Sequence, residues 1–465
     1  MKRLNTITML FVGFAAACTS TSAQLLPPPG AVPNEPPVAR ANDSAPERKD
    51  MLLQPAAIAS VGNASTGPSE QLPPGNNGVL SLEELEQMAT ANNPSIAQAH
   101  ARVMALRGRQ LQVGLAPNPQ AGYLANEIGD EGRAGQQGGY VSQEFVTGGK
   151  LGLNRAVVSQ EIQQAEQIMQ ARQLRVLTDV RLAYYAALVA VRREDLAKEL
   201  LQIGERTSAE SLRLKTAGEI SKTEFLPIEI EQRNAQILLK IAGTERTAAW
   251  RRLSYVVGVE LPTVELAGDI SKLPSALTYD EQLAHVLANS PEIAAAIAEM
   301  GRSQNALARA QREPIPNVFT QFSLQKDNAT NDTITGVQVG IPLPFWDRNQ
   351  GGIMEAQAQI SQARRNVDRV ELDLKNRLAA AFQRYSSAQE RAKIYSDEIV
   401  PKAEENFKLV QGAYPAQVSS LEFLTAQRIF FQTKLAYLDS LAELWISWNQ
   451  IQGLLLSDSL GTPLQ

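Results

Sequence analysis

Few residues of this 465-residue chain are of a type that carries chemistry. It has two histidines, His100 and His285, and one cysteine, Cys18. One cysteine can form no intrachain disulfide and cannot build a thiolate-rich metal site. The histidines lie in unrelated, helix-like contexts. The chain has no His-Glu-x-x-His motif, no phosphate-binding Gly-x-x-x-x-Gly-Lys loop and no Gly-x-Ser-x-Gly elbow, so the common hydrolytic and nucleotide chemistries lack their residues. We expect no enzyme activity, no cofactor and no metal site. Two glutamates remain. Glu224 stands three places after Ser221, and Glu422 three places after Ser419. Ser-x-x-Glu is the spacing of a capping box, in which serine and glutamate each satisfy the other's backbone N–H at a helix start. A net charge of −5 gives no footing for nucleic acid.

What positions the two glutamates is a tandem repeat. Leu80-Ser81-Leu82-Glu83-Glu84 is echoed by Leu277-Thr278-Tyr279-Asp280-Glu281. Asn92-Asn93-Pro94-Ser95-Ile96-Ala97 is echoed by Asn289-Ser290-Pro291-Glu292-Ile293-Ala294, and Pro117 and Pro119 by Pro314 and Pro316. Ser221-Lys222-Thr223-Glu224-Phe225-Leu226 matches Ser419-Ser420-Leu421-Glu422-Phe423-Leu424. The expected units are a first repeat, 79–268, and a second, 277–456, with a short C-terminal tail, 457–465. In each copy a helix comes first (82–115 and 278–312), capped by Ser81 or Thr278 and ended by the paired prolines. A β region follows. Val318, Thr320, Phe322 and Leu324 alternate with Phe319, Gln321, Ser323 and Gln325 over 317–325. Val337, Val339, Ile341 and Leu343 alternate with Gly336, Gln338, Gly340 and Pro342. The first copy offers strands at 120–128 and 139–147. Long helices come next. Residues 150–214 hold no proline and only two glycines, enough for roughly 97 Å at ~1.5 Å per residue. In 352–400, Ile360, Ala363, Val367, Val370 and Leu374 repeat as a coiled-coil seam, and Pro401 should kink or divide the run.

The N-terminus reads as a secretory signal, with Lys2 and Arg3 before the short apolar core Met9–Ala17. Two processing outcomes fit. Cleavage after Ala23 removes residues 1–23; alternatively, removal of 1–17 leaves Cys18 as a lipid-attachment site. Residues 24–78, rich in Pro, Asn and Ser, read as a linker too poor in apolar side chains to order itself. No later stretch suits a transmembrane helix, so a membrane role would rest on lipid or on β-strands. Four strands of about ten residues suit a tilted bilayer crossing. Four cannot close a barrel, and an open edge is costly in hydrocarbon. Two chains would give eight strands and a filled interior; three would give twelve and a passage. A water-soluble helical protein with two small hairpins is the competing account.

The junctions carry the resemblance. Gln143-Glu144-Phe145-Val146-Thr147-Gly148-Gly149-Lys150 and Ile341-Pro342-Leu343-Pro344-Phe345-Trp346-Asp347-Arg348-Asn349-Gln350-Gly351, set in two copies of helix, hairpin and long helices, resemble the TolC-like outer-membrane efflux family. They are most similar to its heavy-metal branch, the partners of cobalt–zinc–cadmium or copper–silver pumps. The resemblance covers residues 80–456. It implies a mainly α fold: a tandem-repeat, long-helix α-barrel subunit with a small β part, four strands given to a twelve-stranded trimeric transmembrane β-barrel. It further implies a homotrimer in outer-membrane lipid with its helices in the periplasm, a periplasmic adaptor (membrane fusion protein) and an inner-membrane RND-type pump. The implied function is a passive exit duct of a tripartite efflux system, for heavy-metal cations. The alternatives are the same duct for drugs or type I secretion, and a periplasmic coiled-coil adaptor or scaffold.

The resemblance also places the two serine–glutamate turns at the periplasmic end. There Gly218, Ile220, Ser221, Ala416, Val418 and Ser419 are the implied adaptor-contact tips, and Glu224 and Glu422 the aperture. Six carboxylates in a trimer would focus a negative potential that favours cations and responds to pH. Capping alone is the plainer role. The sequence departs from relatives at Ala416, where many have glycine, and at Thr425, where a second acid is usual.

Overall fold

The structure is a computed structural model, and residues 78–132, 135–414 and 417–456 are described. The signal, Cys18, the 24–77 part of the linker, Ala416 and the 457–465 tail lie outside the described residues.

Local chemistry explains where each helix starts. Ser81 closes a full capping box with Glu84 and opens α1, Leu82–Asn92. The sequence suggested one helix from 82 to 115, but the chain breaks at Asn93. Its side chain accepts from Ser95 N and starts α2, Pro94–Gln112, with proline at the first turn, where no N–H is needed. The second copy breaks in the same way into α5, Tyr279–Asn289, and α6, Pro291–Arg312. Thr278 makes no backbone cap there; its hydroxyl donates instead to Glu281 Oε2 at 2.6 Å.

The strands are β2, Gln120–Asn126; β3, Gln136–Phe145; β5, Val318–Asp327; and β6, Thr333–Gly340. The last stops before Ile341 because Pro342 and Pro344 can donate nothing to a ladder. Two further short segments, β1 (Val79–Leu80) and β4 (Glu265–Leu266), pair in parallel. The main sheet has the order β2-β3-β5-β6 and is antiparallel throughout. Its central pair, β3 with β5, joins the two repeats.

From the sheet each copy runs into a long helix. Gly148 and Gly149 both take positive φ, 67° and 69°, which re-aims the chain into α3, Lys150–Ala217. Its 68 residues span about 102 Å at ~1.5 Å per residue. Gly218, at φ 79°, ends it, and α4, Lys222–Val257, returns. In the second copy α7, Gln350–Ile394, passes through a π-helical turn at Tyr395–Ile399 into α8, Val400–Ala413. The break thus falls one turn before Pro401, which takes an early α8 position where its missing N–H costs little. The return helix is α9, Ser420–Gln452.

The cores lie between these rods. Val176, Val180, Ala183, Tyr184, Ala187 and Leu188 follow helical spacing on α3 and pack with Leu253, Leu374, Leu378, Leu441 and Leu444. A second cluster near the far end joins Leu196, Ile228, Phe407, Phe423 and Phe430. The segment between the repeats is held by tryptophan donors: Trp250 Nε1 to Leu261 O, Trp445 Nε1 to Ile270 O, and Trp448 Nε1 to Ser275 O.

Candidate functional site

Directly paired residues of an antiparallel ladder share a face, so the register sorts the sheet into two surfaces. One carries the row Ala121, Val141, Phe322 and Val337, with Tyr123, Phe145, Leu324 and Val339 above and below. These large apolar side chains are exposed, Val337 at 74%. The other face carries Gln120, Ser142, Gln321 and Gln338 in one row and Gly122, Tyr140, Ser323 and Gly336 in the next. Here Ser142 and Gln325 are buried, as on the inside of a curl. The outer edges of β2 and β6 have no strand partner among the described residues.

At the base of the sheet the junction residues lock geometry. Asn317 Oδ1 accepts from Lys150 Nζ at 3.1 Å and from Thr147 N at 3.3 Å. Asn317 Nδ2 donates to Glu144 Oε1 at 2.7 Å. Lys150, a cation at a helix N-terminus where the dipole disfavours it, is buried and reaches Glu144 only through this asparagine. Phe345 and Trp346 project outward, Trp346 at 89% exposure. An amphipathic ring at that level suits a lipid–water boundary.

The predicted turns stand at the opposite end of the long helices. Ser221 N donates to Glu224 Oε2 at 2.8 Å and Glu224 N to Ser221 Oγ at 3.2 Å. Ser419 N donates to Glu422 Oε2 at 3.1 Å and Glu422 N to Ser419 Oγ at 3.3 Å. Both boxes are complete. The hydrogen bonds of both carboxylates use Oε2, and since both residues are exposed, Oε1 is left toward solvent. The Ser221 backbone N–H, then its hydroxyl, hold the Glu224 carboxyl below the usual glutamate range. The Ser211 and Tyr414 hydroxyls bond at 2.8 Å, and the Tyr414 ring packs on Phe423 with centroids 4.8 Å apart. The two turns are therefore tied into one end.

Ile220 and Val418 are half-buried rather than exposed. The exposed apolar side chains there are Leu226 and Leu421. The sequence pattern hid them because both follow a cap in an otherwise amphipathic stretch. Among the described residues no group of three His, Cys, Asp or Glu is placed to hold a metal ion. No described helix is long and apolar enough to cross a membrane.

Comparison with known proteins agrees with this geometry. Residues 283–455 match the family described as outer membrane efflux protein. The cobalt-zinc-cadmium resistance protein CzcC of Cupriavidus metallidurans is 26% identical over 406 residues, covering 87% of this chain and 96% of that protein. The nickel-cobalt-cadmium resistance protein NccC of Alcaligenes xylosoxydans xylosoxydans is 25% identical over 295 residues, covering 62% of this chain and 66% of that protein. The outer-membrane channel OprN shares the fold with a TM-score of 0.69 at 18% identity, over 81% of this chain and 90% of its own. A sheet with one greasy and one polar face, rods of about 100 Å and these matches point the same way: residues 283–455 match the outer membrane efflux protein family, and nearly the whole chain is similar to a heavy-metal resistance relative.

Proposed function

We propose that this outer membrane efflux channel is a homotrimer that releases heavy-metal cations. The match of residues 283–455 to the outer membrane efflux protein family and the full-length similarity to CzcC support a duct across the outer membrane, with its helices in the periplasm. The observation that carries the trimer is the two-faced, open-edged sheet. Its apolar face asks for lipid, and its β2 and β6 edges, unpaired among the described residues, ask for other strands, because hydrocarbon offers them no hydrogen bonds. Three chains supply twelve strands and leave a passage; two would leave a filled interior. A soluble scaffold has no use for such a face. A duct of this kind moves cargo down a gradient that another machine creates. We therefore assign it an inner-membrane pump of the RND type and a periplasmic adaptor as partners.

The cargo reading is supported by the two metal-resistance relatives. It is also supported by the far end, where Glu224 and Glu422 each keep one carboxylate oxygen outside the cap. In a trimer these would ring the mouth with negative potential and attract cations. Gly218, Ser221, Ser419 and the neighbouring apolar Leu421 are the surface offered to the adaptor. Deleting the gene from its host tests the cargo. Lower tolerance to zinc, cobalt or cadmium is expected. Unchanged metal tolerance with lower drug tolerance would replace metals by drugs as the cargo.

A further inference from the structure

The row Gly122–Tyr140–Ser323–Gly336 crosses all four strands on the polar face, with a glycine at each edge strand and a side chain on each central strand. In each pair the side chain occupies the space of its glycine neighbour. A methyl on Gly122 would lie 2.6 Å from Cε1 of Tyr140 and 2.7 Å from its hydroxyl. A methyl on Gly336 would lie 2.6 Å from the Ser323 hydroxyl. Neither glycine has positive φ, so turn geometry does not require them; the missing side chains do. Tyr140 is only half-exposed although it faces the open side of the sheet, which fits a ring folded over Gly122. Apart from Phe319 near the helix end, it is the only aromatic on this face among the described residues.

We infer that Gly122 is a slot that stows Tyr140 against the wall, and that this pair sets the clearance of the outer part of the duct. The inference rests on the reading that the polar face lines a trimeric pore. Twelve strands ~4.8 Å apart and tilted by ~40° give a backbone diameter of roughly 24 Å. Three tyrosines turned inward from such a wall would narrow the passage left by its polar side chains at that level. The flexible end of the Tyr140 side chain, not backbone, meets the added group, so the ring is what yields. Valine is also a better strand former than glycine, which leaves the ladder intact.

Single-channel conductance of the purified full-length protein in planar bilayers tests this. Gly122→Val should lower conductance below that of the wild type, by a smaller fraction than the area lost at that one level because the rest of the duct adds its resistance in series, and Tyr140→Ala in the same chain should restore it. Tyr140→Ala alone should conduct at least as well as the wild type. Gly122→Val conducting like the wild type would overturn the inference. So would a Gly122→Val, Tyr140→Ala protein as restricted as Gly122→Val alone, since the restriction would then come from the wall. Should Gly122→Val not assemble, Gly122→Ala decides on the same two criteria, because a single methyl already meets the ring. A wild type without conductance would remove the duct itself along with this inference; a conducting but insensitive pair removes the inference alone.

Discussion

Val337 and Gln338 are consecutive on β6 and point to opposite sides of the sheet, so the same substitution at each interrogates both faces. Val337 pairs with Phe322, which pairs in turn with Val141, near the middle of the strands. An arginine at that depth on a lipid-facing strand costs about 2–4 kcal/mol, and three subunits make that roughly 6–12 kcal/mol per assembly. This is comparable to the whole folding stability of an ordinary domain, about 5–15 kcal/mol. Val337→Arg should therefore abolish the heat-sensitive trimer band and deplete the chain from outer-membrane fractions. Gln338→Arg puts its charge beside Gln321 in water. It should leave the trimer intact and reduce cation preference in bilayer recordings, because three positive charges then ring the pore. Equal loss of trimer in both variants, or greater loss from Gln338→Arg, would refute the facing of the sheet and with it the barrel.

Three further outcomes concern the helices. Ser221→Ala and Ser419→Ala should each destabilise the start of their own helix by about 1 kcal/mol, seen as faster hydrogen exchange at the Glu224 and Glu422 amides. The Glu224 carboxyl titrates lower in the folded chain than in the unfolded one. Its stabilising share is therefore full above the ordinary glutamate value of about 4.3 and lost as pH falls through the lower folded value. Exchange at the Ser221 amide should accelerate only in that acid window, and Glu224→Gln should flatten the profile. Leu374→Ala empties a fully buried site between the long helices and should cost about 2–5 kcal/mol, read as a shifted denaturation midpoint.

Much of this architecture was legible because its determinants are local and repeated. The Ser-x-x-Glu boxes at Ser221 and Ser419 formed as their spacing required, and the long proline-free run after Lys150 became one rod. The breaks at Asn93 and Ser290 were hidden because a proline after an Asn or Ser cap starts a helix as readily as it ends one. The π turn at Tyr395–Ile399 has no sequence mark beyond the proline that follows it. Tertiary ties such as Trp445 to Ile270 O and Ser211 to Tyr414 link residues far apart in the chain, and no periodicity announces them. The polar face of the sheet was visible as alternation. The stowing of Tyr140 over Gly122 was not, because it depends on register across two strands.

The pairing of β3 with β5 has a consequence for how the wall is counted. Within one chain, the edge of the first hairpin meets the edge of the second by an ordinary antiparallel ladder. A β6 edge meeting a neighbour's β2 would repeat that contact. The half-chain, not the polypeptide, is then the true stave of the barrel. Curvature per hairpin decides how many staves close the ring, and gene duplication decides only how many are delivered on one strand of protein. Duplicating or splitting the coding sequence at the segment between the repeats would change the number of chains in the assembly while leaving its bore unchanged.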